Sequence, residues 1–146
     1  MKILLIDDSA LVVERLQEML APLPGVEVVG HATDIPEVLR SLRASSPDVV
    51  LLDLHLPGGS GIKVMETIRK EKPAIIVIVL TNYAFPQYEK RCAAAGAHSF
   101  LDKSKDFTRV PGLIQELSNQ MDHRQRSRST HSFEFQFRRK LEVGSR

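Results

Sequence analysis

Residues 3–10 read ILLIDDSA, four apolar residues running straight into two adjacent carboxylates, Asp7 and Asp8. The apolar run has the composition of a buried strand, and the two acids stand where the chain leaves it. Two like charges ~4 Å apart repel by about 4 kcal/mol at an effective dielectric of ~20. A fold that sets carboxylates side by side at the edge of its core is therefore expected to supply a cation between them.

Four further runs share this character. VEVVG, DVVLL, AIIVIVL and HSFL begin near residues 26, 48, 74 and 98, and with KILLI from residue 2 they recur every 22 to 26 residues. They are continuous rather than alternating, as in strands buried on both faces. Each interval has room for one helix. Ser9 is placed to N-cap the first, whose Val12, Leu16, Met19 and Leu20 fall at helical spacing. Asp34-Ile-Pro-Glu37 opens the second, with Asp34 as cap, Pro36 in the first turn and Glu37 at the capping-box position, and SSP closes it. The third follows the loop LPGGSG and carries Ile62, Met65 and Ile68. The fourth is QYEKRCAAAGA. The last shows Val110, Leu113, Ile114, Leu117 and Met121, with Pro111 in its first turn. Strict alternation of five strands and five helices predicts an α/β fold, an open parallel sheet wound on both sides.

Such sheets bind ligands outside the carboxyl ends of their strands. There the sequence delivers Asp7 and Asp8 after the first strand, Asp53 after the third, Thr81 at the end of the fourth and Lys103 just beyond the fifth. One Asp after a strand is usually a turn or cap residue. Three carboxylates converging from two strand ends would destabilise a half-buried rim unless they served a purpose. The chemistry that suits the set is phosphoryl transfer to a carboxylate. Mg²⁺ (or Mn²⁺) takes hard oxygen ligands and phosphate oxygens, which fits Asp8 and Asp53 as ligands, with Asp7 acting directly or through water. Lys103 supplies a mobile charge for phosphoryl oxygens and Thr81 a hydroxyl donor. Asp53 is then the nucleophile that forms an acyl phosphate.

Composition narrows the alternatives. A chain of 146 residues, 42% apolar, is one ordinary domain. Cys92, the only cysteine, forms no internal disulfide and reads as a packing residue in an Ala-rich helix. The opening MK and four apolar residues do not make a signal peptide, and no apolar run approaches the roughly 20 residues of a membrane span, so a cytoplasmic setting is expected. Residues 122–146 hold seven Lys/Arg against three Asp/Glu, leaving 13 against 15 in residues 1–121, so a basic tail follows a mildly acidic body. That shift and the stretch DHRQRSRSTHS predict a boundary near residue 122, with one folded domain over 1–121 and, over 122–146, a tail that is disordered or an expression scar ending in GSR. Phe133, Phe135 and Phe137 alternate as in a half-buried strand, which would suit strand addition to a partner. A net +4 without a recognisable fold allows weak phosphate-backbone contact and argues against sequence-specific nucleic-acid binding. His31, His55, His98, His123 and His131 lack metal-ligand spacing. No phosphate-binding glycine loop of the P-loop, dinucleotide or flavin type is present.

LLIDDSA, DVVLLDLHLPGGSG, IIVIVLTNY and AHSFLDKS, in this order and spacing, resemble the receiver domain of bacterial two-component response regulators over residues 1 to about 120. Through VEVVGHATD the chain is most similar to receivers of helix-turn-helix (LuxR/NarL-type) regulators. The resemblance implies a flavodoxin-like sheet of order 2-1-3-4-5 and a phosphoacceptor switch rather than an ordinary enzyme. It implies phosphotransfer from a sensor histidine kinase or phosphotransfer protein to Asp53, and Mg²⁺ held by Asp7, Asp8, Asp53 and the backbone carbonyl of His55. Thr81 and Phe100 fall on the switch hydroxyl and switch aromatic, and Lys103 on the phosphate-pairing lysine. His55 and Tyr83, with Asn82 beside them, flank the approach of water and bear on phosphoryl lifetime. Strands four and five and the last helix form the face expected to meet a partner or a second copy. Two features depart from the pattern: Asn82 stands where the family has a very small residue, and only about 25 residues follow the last helix, too few for a helix-turn-helix output domain. The competing reading is a receiver-like scaffold that binds partners without phosphate.

Overall fold

A computed structural model describes the backbone of residues 1–144 and the side chains of residues 1–128. Its main sheet holds β1 (Lys2–Ile6), β2 (Glu27–Ala32), β3 (Val49–Leu52), β4 (Ile76–Thr81) and β5 (Ser99–Asp102), all parallel and in the order β2-β1-β3-β4-β5. This is the expected 2-1-3-4-5 arrangement. The central strands β1, β3 and β4 are buried almost throughout, as their unbroken apolar runs require, while the edge strands β2 and β5 are partly exposed.

Among the described residues five long helices cover the two faces: α1 (Ala10–Leu20), α2 (Ile35–Ser45), α3 (Gly61–Glu71), α4 (Pro86–Ala94) and α5 (Val110–Gly144). Alternate residues of each strand feed opposite cores. Leu4, Ile6, Val50, Leu52, Val77 and Val79 pack with Val38 and Leu42 of α2, Met65 and Ile68 of α3, and Cys92 of α4. Ile3, Leu5, Leu51, Ile78 and Leu80 pack with Val13, Leu16 and Leu20 of α1 and with Val110, Ile114 and Leu117 of α5. The buried face of α1 is thus centred on Val13, with the expected Val12 and Met19 at its margin.

The caps fall where they were read, with one adjustment. Ser9 Oγ accepts the Val12 N–H at 3.3 Å and Asp34 accepts the Glu37 N–H at 2.9 Å. Glu37 does not return the bond to the cap residue. Its carboxylate takes both the N–H (3.1 Å) and the hydroxyl (3.0 Å) of Thr33 instead, two donors on one neighbour. Between β3 and α3 the loop contains a two-residue antiparallel pairing, His55–Leu56 with Gly59–Ser60, that the sequence did not suggest. A single helical turn, Lys103–Asp106, and a 3-10 turn, Phe107–Arg109, likewise precede α5.

The tail differs from expectation. The backbone over Phe133, Phe135 and Phe137 is helical, not extended, because α5 runs on to Gly144. Its first turns are anchored by Val110, Ile114 and Leu117, no Gly or Pro interrupts residues 113–143, and each added residue then gains a hydrogen bond without a new nucleus. The side chains beyond residue 128, and residues 145–146 of the suspected scar, lie outside the described residues.

One close approach sets the start of α3 against the strand that carries Asp53. The Gly61 N–H bonds to Leu54 O at 2.9 Å, and a Cβ at Gly61 would meet Asp53 O at 2.5 Å and Leu54 Cα at 2.8 Å. These are backbone atoms that cannot rotate aside. Gly61→Ala is therefore expected to lower stability by about 1–3 kcal/mol, the usual scale of overpacking, seen as a lower denaturant midpoint at unchanged m-value.

Candidate functional site

The carboxyl ends of β1 and β3 set two acids side by side. Asp7 donates its N–H to Ala32 O of β2 (3.0 Å), and Asp53 donates its own to Ile6 O of β1 (2.9 Å). Both side chains are buried, and that of Asp8 is exposed beside them. Asp7 Oδ1 accepts the Ser9 N–H at 2.9 Å, which ties the acid to the cap of α1. One oxygen from each of Asp7, Asp8 and Asp53 can be taken so that all lie within 4.8 Å of one another. Three hard anionic oxygens at that spacing fit a small divalent cation that retains several waters.

Lys103 already stands among them. Its Nζ lies 2.6 Å from Asp7 Oδ2 and 3.0 Å from Asp53 Oδ2, with only 8% of its side chain exposed. Burial pushes the ammonium toward the neutral form, but the Asp7 hydrogen bond and the Asp53 charge outweigh that and leave it above the ordinary lysine value. Burial pushes the Asp7 carboxyl above the usual carboxylate range, against the pull of Lys103 and of the Ser9 N–H. Lys103 was expected at the phosphoryl oxygens alone; its bridge between Asp7 and Asp53 leaves no trace in the residue pattern.

Thr81 is fully buried at the end of β4, and its Oγ1 accepts the Tyr83 N–H at 3.1 Å. Phe100 on β5 is half-buried against the core formed with α2, α3 and α4. Asn82 is exposed. His55 and Tyr83, expected on the same approach, meet directly: their rings stack at 3.8 Å between centroids and 15° between planes. The His55 N–H also points to Asp53 Oδ1 at 3.4 Å. Beside them a cleft of about 450 Å³ opens between the β3–α3 loop and α4, lined by Asp8, His55, Ile62, Tyr88 and Arg91. Tyr88 and Arg91 were not singled out from the sequence, where nothing separates them from other residues of an amphipathic helix. Cys92 is buried in α4, and burial pushes its thiol up, as suits a packing residue. Among the described residues no helix is long and apolar enough to cross a membrane.

Comparison with known proteins identifies the family. The family described as "Response regulator receiver domain" matches residues 3–115. The chain belongs to the response regulator receiver family. Phosphorylation-based switching is the general function of these receivers. Relatives include the DNA-binding transcriptional activator EvgA of Escherichia coli K12, 29% identical over 119 residues, which are 82% of this chain and 58% of EvgA. The response regulator GacA of Pseudomonas syringae pv. syringae is 34% identical over 114 residues, 78% of this chain and 53% of GacA. This receiver thus spans about half the length of the curated relatives it matches. Among solved structures, a LuxR-family two-component response regulator from Aurantimonas sp. superposes with a TM-score of 0.74 at 30% identity, covering 81% of this chain and 84% of that one. The receiver of the putative response regulator NarL from Mycobacterium tuberculosis gives 0.73 at 27% identity, covering 81% and 95%.

Lys103→Met keeps the bulk of the side chain and removes the shared ammonium, leaving Asp7 and Asp53 to repel each other. The variant should lose about 3 kcal/mol of stability in metal-free buffer, the scale on which loss of one member of a buried ion pair is felt, with part returned by millimolar Mg²⁺. Urea denaturation with and without the ion reads both effects.

Proposed function

We propose that Asp53 accepts a phosphoryl group from a sensor histidine kinase or phosphotransfer protein, and that Thr81 and Phe100 turn the modification into a change of surface. The observation that carries this reading is the seat of Asp53: buried at the end of the central strand, 3.0 Å from an ammonium and grouped with two further carboxylates. An Asp53 carboxylate oxygen attacks phosphorus, and the P–N bond of the phosphohistidine breaks as the imidazole departs. Lys103 can release Asp7 and pair with the phosphoryl oxygens, since it is one mobile charge already shared by two anions. Asp7, Asp8 and Asp53, with the His55 carbonyl, are the groups assigned to hold Mg²⁺. When bound there, the ion neutralises the charge of the incoming phosphoryl oxygens.

The output follows from Thr81 and Phe100. Movement of Thr81 toward the acceptor vacates space into which the half-buried Phe100 ring turns, re-forming the face of β4, β5 and α5. A cleft of about 550 Å³ lined by Phe100, Leu101, Arg109, Leu113 and Glu116 lies on that face and suits a partner or a second copy. EvgA, a DNA-binding transcriptional activator, suggests transcription control as the setting, and we place the chain in the cytoplasm. Residues 122–146 are assigned to a segment distinct from the receiver proper.

His55 and Tyr83 are assigned the task of keeping water from the acyl phosphate, with exposed Asn82 taking the smaller part. Intact-mass measurement after acetyl phosphate and Mg²⁺ should show a single added phosphoryl group, absent in Asp53→Asn. No labelling of wild type would favour the phosphate-independent scaffold. Followed in time, the label should be lost severalfold faster from His55→Ala than from wild type. Slower loss would make the imidazole a general base for the attacking water.

A further inference from the structure

Thr81 holds the switch hydroxyl, yet that hydroxyl is engaged away from the acceptor. Its Oγ1 accepts the N–H of Tyr83, two residues on, in a side-chain-closed turn. The Asp53 oxygens are met by Lys103 Nζ and the His55 N–H, and among the described residues no hydrogen bond joins Thr81 to either of them. Tyr83 is 41% exposed on the β4–α4 loop, and its ring lies flat on His55 of the β3–α3 loop. The stack therefore ties the loop that follows the acceptor to the loop that restrains the hydroxyl. Both ends of this tie reach the reacting groups through backbone: the His55 N–H at Asp53 and the Tyr83 N–H at Thr81.

We propose that Tyr83 is a positioning residue that latches the switch: while its ring lies on His55, its N–H holds Thr81 Oγ1, and the hydroxyl turns to a phosphoryl group on Asp53 only when the stack opens. This rests on the reading of Asp53 as acceptor and Thr81 as switch. Threonine has few χ1 wells, and an N–H···O bond tolerates little misalignment, so the rotamer that meets Tyr83 is given up when Oγ1 swings to the acceptor. The phosphorylated chain then exchanges between two substates. In the closed one the rings cover the phosphorus and the hydroxyl is withheld. In the open one the hydroxyl is delivered and the cover is drawn back. One ring contact thus sets both how fully a phosphorylated chain is switched and how long it stays phosphorylated. The worth of an aromatic pair beyond its buried area corresponds to a two- to tenfold bias toward the closed substate.

The test uses the full chain with Mg²⁺ and beryllofluoride as the phosphoryl mimic. The imidazole C–H resonances of His55, identified by their loss in His55→Ala, should stand upfield in the free chain because of the Tyr83 ring current. They should move toward the position of free histidine on adding the mimic. Tyr83→Ala should bind beryllofluoride two- to tenfold more tightly than wild type, and Tyr83→Phe, which keeps the ring, should return to the wild-type affinity. A ring that served only to stabilise the loop would not raise affinity when removed. His55→Leu opens the stack from the other side and should give the same gain, so the outcome does not depend on one variant folding. Shifts at the Asp53 amide with the His55 ring still upfield, or no tighter binding in either variant, overturn the latch and leave the acceptor standing. No response anywhere near Asp53 removes the acceptor reading and the latch with it.

Discussion

Asp7 and Asp53 leave the sheet side by side because β1 and β3 pair with Ile6 opposite Leu52, and neighbouring strands lie about 4.8 Å apart. Two buried carboxylates at that spacing need a cation. Lys103 meets both, reaching past β4 from the turn after the edge strand β5, and its position depends on the whole sheet being formed. The strand order, the two cores and the start of α3 can be understood as what brings that ammonium to those acids. Asp8 adds a third charge that Lys103 does not touch, so the rim stays short of positive charge by construction. A site left in that condition suits a divalent cation, which would in turn offset the charge of a further anion.

The proposed switch requires two arrangements of similar energy, and the rim offers candidate parts for them. Lys103 is divided between two anions, so the exchange proposed for it trades one anionic partner for another. Thr81 has a resting partner in the Tyr83 N–H, so the reorientation proposed for it is an exchange of hydrogen bonds rather than the exposure of a buried hydroxyl. Phe100 is half-buried on the edge strand, where a ring has room to turn that it would lack in the packed centre of the sheet. The packed components are the central strands and Gly61 under Asp53; the groups assigned to move are Thr81 at the end of β4, Lys103 after β5 and Phe100 on the β5 edge.

The sheet was legible in the sequence because three central strands must be apolar on both faces, which leaves unbroken runs such as ILLI and VVLL that no amphipathic helix produces. The helices were legible from their caps, Ser9 and Asp34 above all, and the rim from acids placed directly after the strands. Other features had no local signal. The Lys103 bridge to Asp7 spans 96 positions of sequence and depends on side-chain reach across a strand. The His55–Tyr83 stack depends on two loop geometries at once, one of them bent by the short pairing of His55–Leu56 with Gly59–Ser60. Phenylalanines at alternate positions 133, 135 and 137 suggested a strand, yet the backbone there continues a helix already nucleated against the core. Local alternation is a weak signal beside an anchored helix with nothing to stop it.

The most direct test is a crystal structure of the chain with Mg²⁺ and beryllofluoride. If Lys103 is the counter-ion that Asp7 and Asp53 share until a phosphoryl group arrives, the beryllium will be bonded to an Asp53 oxygen. The ion will then lie between Asp7, Asp8 and Asp53, and Lys103 Nζ will have left Asp7 for a fluorine. Lys103 still bridging Asp7 and Asp53, with the mimic bound elsewhere, would contradict it.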